Sequence, residues 1–463
     1  MPSSVFDSIL LRDSWSTEEM RCVFSDENRV QKWYDVEAAL AQEQAALGIV
    51  PQAAADEIGR RARVADVDLE AIAREMATAK HPLVPALRAL QRLCAPALGE
   101  WLHYGPTTQD ILDTGMALQL REAHGIILRD LRAVGRALYA LAEKYRATPM
   151  VGRTHGVQAL PVTFGHKCAI WLREVSRHHQ RLMEAQARVF VGGLVGAVGT
   201  MASFGPKAVE LEARVMHRLG LMQADISWQP ARDRFAEYAA ILGLVAATLT
   251  KIASEVFNLQ RNEVDEVEEP FNPGKVGSST MPHKRNPAIC ETMITVGRSL
   301  RYHVAAMQEA MIQVHERDSA IWKMEWKALP ELCLGTALLL KLGGHVLEHL
   351  TVNTGRMREN LDLLGGLLLS ERVMFHLAEK LGKQTAHEVV YEAAMHAQEH
   401  GTTLEAALAR DPRLKGAISG NELGALLDPT TYVGLAPELV DRALAQTRAE
   451  GWLSDPGHDV DTK

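Results

Sequence analysis

The chain has 463 residues, 47% of them hydrophobic and 23% charged, and its 50 basic against 58 acidic side chains give a formal net charge of −8. So apolar a chain is not disordered, and its mild acidity argues against a protein that grips nucleic acid through overall charge. Aromatic residues make up only 5%, while good helix formers abound, which leans the chain towards helix.

The five cysteines, Cys22, Cys94, Cys168, Cys290 and Cys333, form no C-x-x-C pair and are odd in number. That pattern argues against a disulfide framework or a zinc ribbon and for a reducing compartment. The first residues, MPSSVFDSILLRDSW, lack a basic segment before their short apolar run, so no signal peptide is expected. No stretch approaches the ~18 uncharged apolar residues of a membrane span. These readings predict a soluble, cytoplasmic protein with neither nucleic acid nor membrane as partner.

Residues 1–106 read as short helices with breaks at 48–51 and 80–85. Four proline-free intervals follow, bounded by Pro106 and Pro149, Pro161 and Pro206, Pro230 and Pro270, and Pro287 and Pro330. Each has helical periodicity; in the first, Leu118, Leu120, Ile127, Leu128, Leu131, Val134, Leu138 and Leu141 recur largely at three- and four-residue steps. A fifth helix is expected from near Glu331 to about His349. A helix of ~30 residues is roughly 45 Å long. Several in succession predict a bundle whose apolar faces need other subunits to cover them. Beyond about residue 355 the helices shorten again. The predicted fold is all-α in three helical domains: an N-terminal domain (1–106), a central long-helix bundle (107–354) and a C-terminal domain (355–463).

Three segments carry chemistry. In 274–287, GKVGSSTMPHKRNP, small residues at Gly277 to Ser279 let backbone N–H groups approach an anion, and Lys284 adds a cation. Asn286 and Pro287 read as the cap and first residue of the next helix, whose N-terminus would also favour negative charge. Such a loop suits a multiply charged carboxylate intermediate, or a serine hydroxyl activated for proton abstraction. In 152–165, GRTHGVQALPVTFG, His155 is placed in a turn between two helices. In 103–110, HYGPTTQD, Thr107 and Thr108 precede a long helix and read either as caps or as hydroxyls that hold a carboxylate at the helix start.

Together these segments resemble the fumarase/aspartase superfamily of lyases. GSSTMPHKRNP matches its signature sequence, and THG at 154–156 and TTQD at 107–110 match its other two active-site regions. The resemblance extends over nearly the whole chain and is nearest the branch of adenylosuccinate lyase and 3-carboxy-cis,cis-muconate cycloisomerase. It implies a helical homotetramer with each active site assembled from three subunits, needing neither cofactor nor metal. It implies Ser278 as catalytic base, Lys284 and Asn286 as carboxylate ligands, Thr107 and Thr108 as the hydroxyl pair, His155 as general acid or its positioner, and Glu291 as the carboxylate behind that histidine. Thr154, Ser279 and Met281 lie in the matched segments and carry over as substrate contacts. His81, Arg317, Lys323 and Lys327 are specificity candidates.

Typical muconate cycloisomerases lack the His155 and Glu291 equivalents, whereas HPLVPAL at 81–87 and HERDSAIWKMEWKALPE at 315–331 look like that enzyme. The nucleotide-binding groups of adenylosuccinate lyase are missing: Ser14 and Trp15, Pro82, and Met324 to Lys327 stand where they would be. The expected activity is β-elimination from a succinyl-type substrate, an N-substituted aspartate releasing fumarate and an amine. The alternatives are a carboxymuconate cycloisomerase and a non-catalytic, crystallin-like helical assembly.

Three further features have simpler readings. HVLEH at 345–349 has the spacing of a zinc helix but no identifiable third ligand. GGLVGAVG at 192–199 lacks the G-x-G-x-x-G order of a dinucleotide site, and the resemblance places it where a helix packs or bends near the active site. The acidic run from Glu263 to Glu269 reads as a solvated helix face.

Overall fold

The computed structural model describes residues 4–271, 280–281 and 283–454. Its fold is all-α, and five long helices dominate it: α1 (Thr108–Lys144), α2 (Phe164–Val189), α3 (Asp233–Leu259), α4 (Ala288–Glu309) and α5 (Ser319–Glu348). The eight apolar residues whose spacing marks the first of them, from Leu118 to Leu141, are all buried. By length and composition α3 could cross a bilayer. Burial of Phe235, Tyr238, Leu242, Val245, Leu249, Ile252 and Val256 accounts for that composition.

Contacts within the chain group it into two units. The first comprises Met1–Leu131, His178–Thr250 and Thr295–Lys341, and the second Arg132–Arg177, Lys251–Ile294 and Leu342–Lys463.

In the first unit, helices Asp26–Ala46 and Gln52–Arg61 pack through Ala41, Ala55 and Ile58. Gly48, at φ +71°, and Pro51 break the chain between them, as expected. The break before α5 carries no proline and was not foreseen. There the Asp318 carboxylate accepts the backbone N–H groups of Ala320 and Ile321 (3.0 and 3.3 Å) and caps the helix. The helix therefore starts at Ser319 instead of near Glu331, and Pro330 lies inside it. Proline's φ suits a helix, and the cost of its missing donor is met by the buried packing of Ala328, Leu329 and Leu332 around it.

In the second unit, the segment expected as a turn between helices is a β-hairpin. Strands β1 (Pro149–Thr154) and β2 (Val157–Thr163) pair antiparallel, with Thr154 opposite Val157. The two-residue loop is His155 and Gly156, both left-handed at φ +53° and +82°. That is the backbone of a tight hairpin turn, where glycine carries no steric penalty. Val151 packs with Leu361, Leu368 and Leu369 beneath the hairpin. Helices Ser370–Leu381 and Lys383–His400 share a separate core of Val373, Leu377, Val389, Leu404 and Leu408.

The acidic run is not a helix face. Val267 and Glu268 form β3, paired with β4 (Thr351–Val352), and Glu266 and Glu269 are buried.

Candidate active site

In the first unit the site is built around the start of α1. Thr107 precedes the helix, and its backbone N–H donates to the Asp110 carboxylate one turn on, at 3.0 Å. The same carboxylate accepts the N–H of Gly196 (2.9 Å) and the Gln229 amide (2.9 Å). Gly196, at φ +78°, presents its N–H from the glycine-rich segment, which is extended loop here and touches the helix start directly. Burial pushes the Asp110 carboxyl up to about 7, against the pull of these donors.

Arg317, from the loop before α5, donates Nη1 to Thr107 Oγ1 at 2.7 Å and Nε to Gln109 Oε1 at 3.2 Å. The Thr107 hydroxyl thus accepts from the guanidinium and keeps its own proton for a ligand. Two sequence-predicted residues, Thr107 and Arg317, are therefore in contact, and Thr108 opens the helix beside them.

Two histidines adjoin this group, and their surroundings shift them in opposite directions. His81 Nδ1 accepts the backbone N–H groups of Leu83 (3.2 Å) and Val84 (3.3 Å), which leaves its proton on Nε2. Burial, and then the charges of His103 and Arg317, lower its pKa. His103, held at φ +59° in the turn before Thr107, places Nδ1 2.6 Å from Oε1 of the buried Glu37. Burial alone would lower its pKa, but Glu37, with help from Asp110, raises it. An imidazole more basic in the fold than in the unfolded chain stabilises the fold fully below its unfolded pKa, and that contribution is lost as pH rises through the folded value. Replacing His103→Gln should therefore cost about 1.5–3 kcal/mol near pH 6. In urea unfolding, the gap from wild type should narrow as pH is raised above neutrality. A gap that widens with pH would sink the charged-pair assignment.

Beneath the helix start lies a buried ionic cluster. Arg232, wholly buried, donates to both Asp113 oxygens (2.8 and 3.0 Å) and to both Glu325 oxygens. Trp322 Nε1 also donates to Asp113, at 2.9 Å, and the guanidinium lies over the rings of Trp228 and Phe235. Burial raises the Glu325 carboxyl pKa although Arg232 pulls it down. Lys327, a specificity candidate, pairs with Glu331 one turn along its own helix, as a surface lysine does. Lys323 is exposed.

In the second unit, Thr154 and His155 stand exposed at the tip of the hairpin. Arg153, just before them, is clamped to the buried Glu266 by two hydrogen bonds of 2.9 and 2.8 Å. Asn360 Nδ2 donates to the same carboxylate at 2.9 Å. This anchorage is rigid, charge-assisted support for the His155 turn. A cleft of about 620 Å³ lies in the signature region, lined among others by Arg261, Met281, Lys284, Arg285 and Asn286. Arg285 is tied to Glu268 at 3.1 Å, whereas Lys284 is exposed.

The helix after the signature loop begins at Ala288, so Asn286 and Pro287 stand just before it. Its early N–H groups, on Ile289 and Cys290, are taken by the buried Glu269 carboxylate at 3.0 and 2.9 Å. Those two donors are therefore not offered to a substrate, contrary to the expectation from sequence. Glu291 is exposed on the first turn of α4. Ser278 and Ser279 lie outside the described residues.

Residues 12–301 match the family described as lyase, and 366–443 the adenylosuccinate lyase C-terminus. The chain is 47% identical to the N-acetyl-S-(2-succino)cysteine lyase of Enterococcus italicus over 98% of its own length and 100% of that protein's. It is 46% identical to the enzyme of the same name from Dickeya dadantii, with the same coverage. The 3-carboxy-cis,cis-muconate lactonizing enzyme of Pseudomonas putida superposes with a TM-score of 0.89 at 36% identity, covering 95% of this chain and 99% of that one.

The all-α fold and the two family matches are those of a helical lyase. The chain belongs to the fumarase/aspartase superfamily. It is an enzyme of the lyase class, and the non-catalytic assembly is set aside.

Sequence reasoning missed Gln109, Asp113, Arg232, His103, Glu37 and Glu266. The available signal was Asp110 and Asp113 amid the apolar run Ile111, Leu112 and Met116, since a charge on a buried helix face needs a partner.

Proposed function

We propose that the enzyme cleaves the carbon–sulfur bond of an S-(2-succino) thioether on an N-acylated cysteine, releasing fumarate and the thiol. What carries this reading is the 47% identity, over the full length of both chains, to a lyase named for that substrate. The sequence reading placed the leaving atom at nitrogen, and the chemistry at the carbon acid is the same for both.

Ser278 removes the proton on the carbon adjacent to the distal carboxylate. The electron pair passes into that carboxylate, forming a dianionic aci-carboxylate, and returns to form the fumarate double bond as the C–S bond breaks. The thiolate leaves with the C–S pair and is protonated by solvent or by His155, which Glu291 supports. Lys284, Asn286, Thr107 and Thr108 stabilise the developing charge. His81, Arg317, Thr154, Ser279 and Met281 hold the substrate. A thiol (pKa about 8.5) leaves more readily than an amine, so His155 has less work than in an amine-releasing relative.

His155 and Glu291 share no hydrogen bond with each other or with another described side chain of their unit. This supports a homotetramer in which three subunits complete each site. A chain that ran as a monomer in sedimentation would overturn that assembly.

The cycloisomerase reading is supported by the 0.89 TM-score to the Pseudomonas putida enzyme. Purified enzyme incubated with N-acetyl-S-(2-succino)cysteine should produce fumarate, by ultraviolet absorbance, and free thiol in equal amounts. Consumption of 3-carboxy-cis,cis-muconate without fumarate, and inertness to the thioether, would favour the cycloisomerase.

A further inference from the structure

We propose that Gln109 is a positioning residue that aims Arg317 at a substrate carboxylate, with the buried Arg232–Asp113 pair as its anchor. The proposal rests on the reading of Arg317 as a substrate ligand.

Gln109 is 2% exposed, and each end of its amide is committed. Its Nε2 donates to Asp113 Oδ2 at 3.1 Å and towards the Gln229 carbonyl at 3.4 Å, while Oε1 accepts Arg317 Nε at 3.2 Å. A flipped amide would set oxygen against two acceptors and nitrogen against a donor, so this orientation alone satisfies all three partners. Asp113 cannot yield, because Arg232 and Trp322 donate to it as well.

The guanidinium is consequently held on two sides. Nε is held by Gln109, and Nη1 by Thr107 Oγ1 at 2.7 Å, with the Ala197 carbonyl at 3.4 Å. Nη2 has no partner among the described residues and is left for a carboxylate. Asp113 ties α1 to Trp322 of α5, and Glu325 binds the same Arg232, so the segment bearing Arg317 and the helix that Thr107 precedes share one clamp. A free arginine would lose its rotamer freedom when it bound substrate; one already held loses little. Gln109 touches no reacting atom in this scheme and acts through Arg317.

The test compares Gln109→Leu and the more flexible Gln109→Met with wild type, alone and combined with Arg317→Ala. Affinity for succinate is measured by calorimetry, and KM and kcat with the S-succino thioether. Either Gln109 variant should weaken succinate binding and raise KM about tenfold, with kcat within about threefold. In the Arg317→Ala background the Gln109 substitutions should add nothing further, because their effect passes through that guanidinium. Two results overturn the positioning role alone: unchanged succinate affinity and KM in both Gln109 variants of an active enzyme, or effects that add fully to those of Arg317→Ala. Wild-type enzyme that binds succinate but eliminates nothing overturns the functional reading, and succinate affinity still decides the positioning role. Wild-type enzyme with neither activity nor succinate binding overturns both.

Discussion

Ser278→Ala should lower kcat for fumarate release by about 10²–10⁴-fold, the usual contribution of a positioned general base, while KM changes by less than about threefold. The groups proposed to bind the substrate carboxylates, Thr107, Thr108, Lys284, Asn286 and Arg317, are all retained in the variant. It should therefore still bind succinate, and what it lacks is the group that removes the carbon-bound proton. Single-turnover measurements would place the defect in the chemical step. The deuterium isotope effect at the reacting carbon should rise in the variant, because proton abstraction becomes more fully rate-limiting. A variant with wild-type kcat would remove Ser278 from the mechanism. One with intact kcat and a much raised KM would make it a binding residue.

The second large effect is on stability. Arg232→Met should destabilise the protein by about 3–5 kcal/mol, because it strands carboxylates whose compensating cation has gone. Asp113 retains Trp322 Nε1 and Gln109 Nε2 as donors, but Glu325, 1% exposed, loses its two guanidinium bonds. Restoring balance should recover much of the loss: adding Glu325→Gln to Arg232→Met removes the less supported charge. Urea unfolding followed by circular dichroism, at fixed protein concentration, measures both variants. A loss below about 1 kcal/mol for Arg232→Met would mean that the cluster is hydrated or protonated and contributes little.

Much of this molecule is legible in its sequence. Helix periodicity is local, so the run from Leu118 to Leu141 identifies a long buried-face helix without any knowledge of its neighbours. Proline proved a weaker guide. Pro330 suggests a boundary yet lies within α5, while the proline-free break before Ser319 is made by Asp318. The hairpin that carries His155 escaped notice for a related reason. Its strands span only 149–163, one of them contains Pro161, and the turn uses His-Gly in place of the commoner Asn-Gly.

The sequence by itself determined the superfamily, the all-α class and the candidate reacting groups, because motif chemistry depends on residue types at short spacings. Only the tertiary structure decided how the supporting groups are arranged, since their partners lie far apart in the chain. Arg317 meets Thr107 across 210 residues, Arg232 meets Asp113 across 119, and Arg153 meets Glu266 across 113. The Arg232 contact places charge where water is excluded and the other two where it is partly excluded, and whether such a charge is anchor, ligand or liability depends on what packs against it. The structure also withdrew one inference. The N–H groups of Ile289 and Cys290 at the start of α4 are occupied by Glu269 and are not open to a substrate.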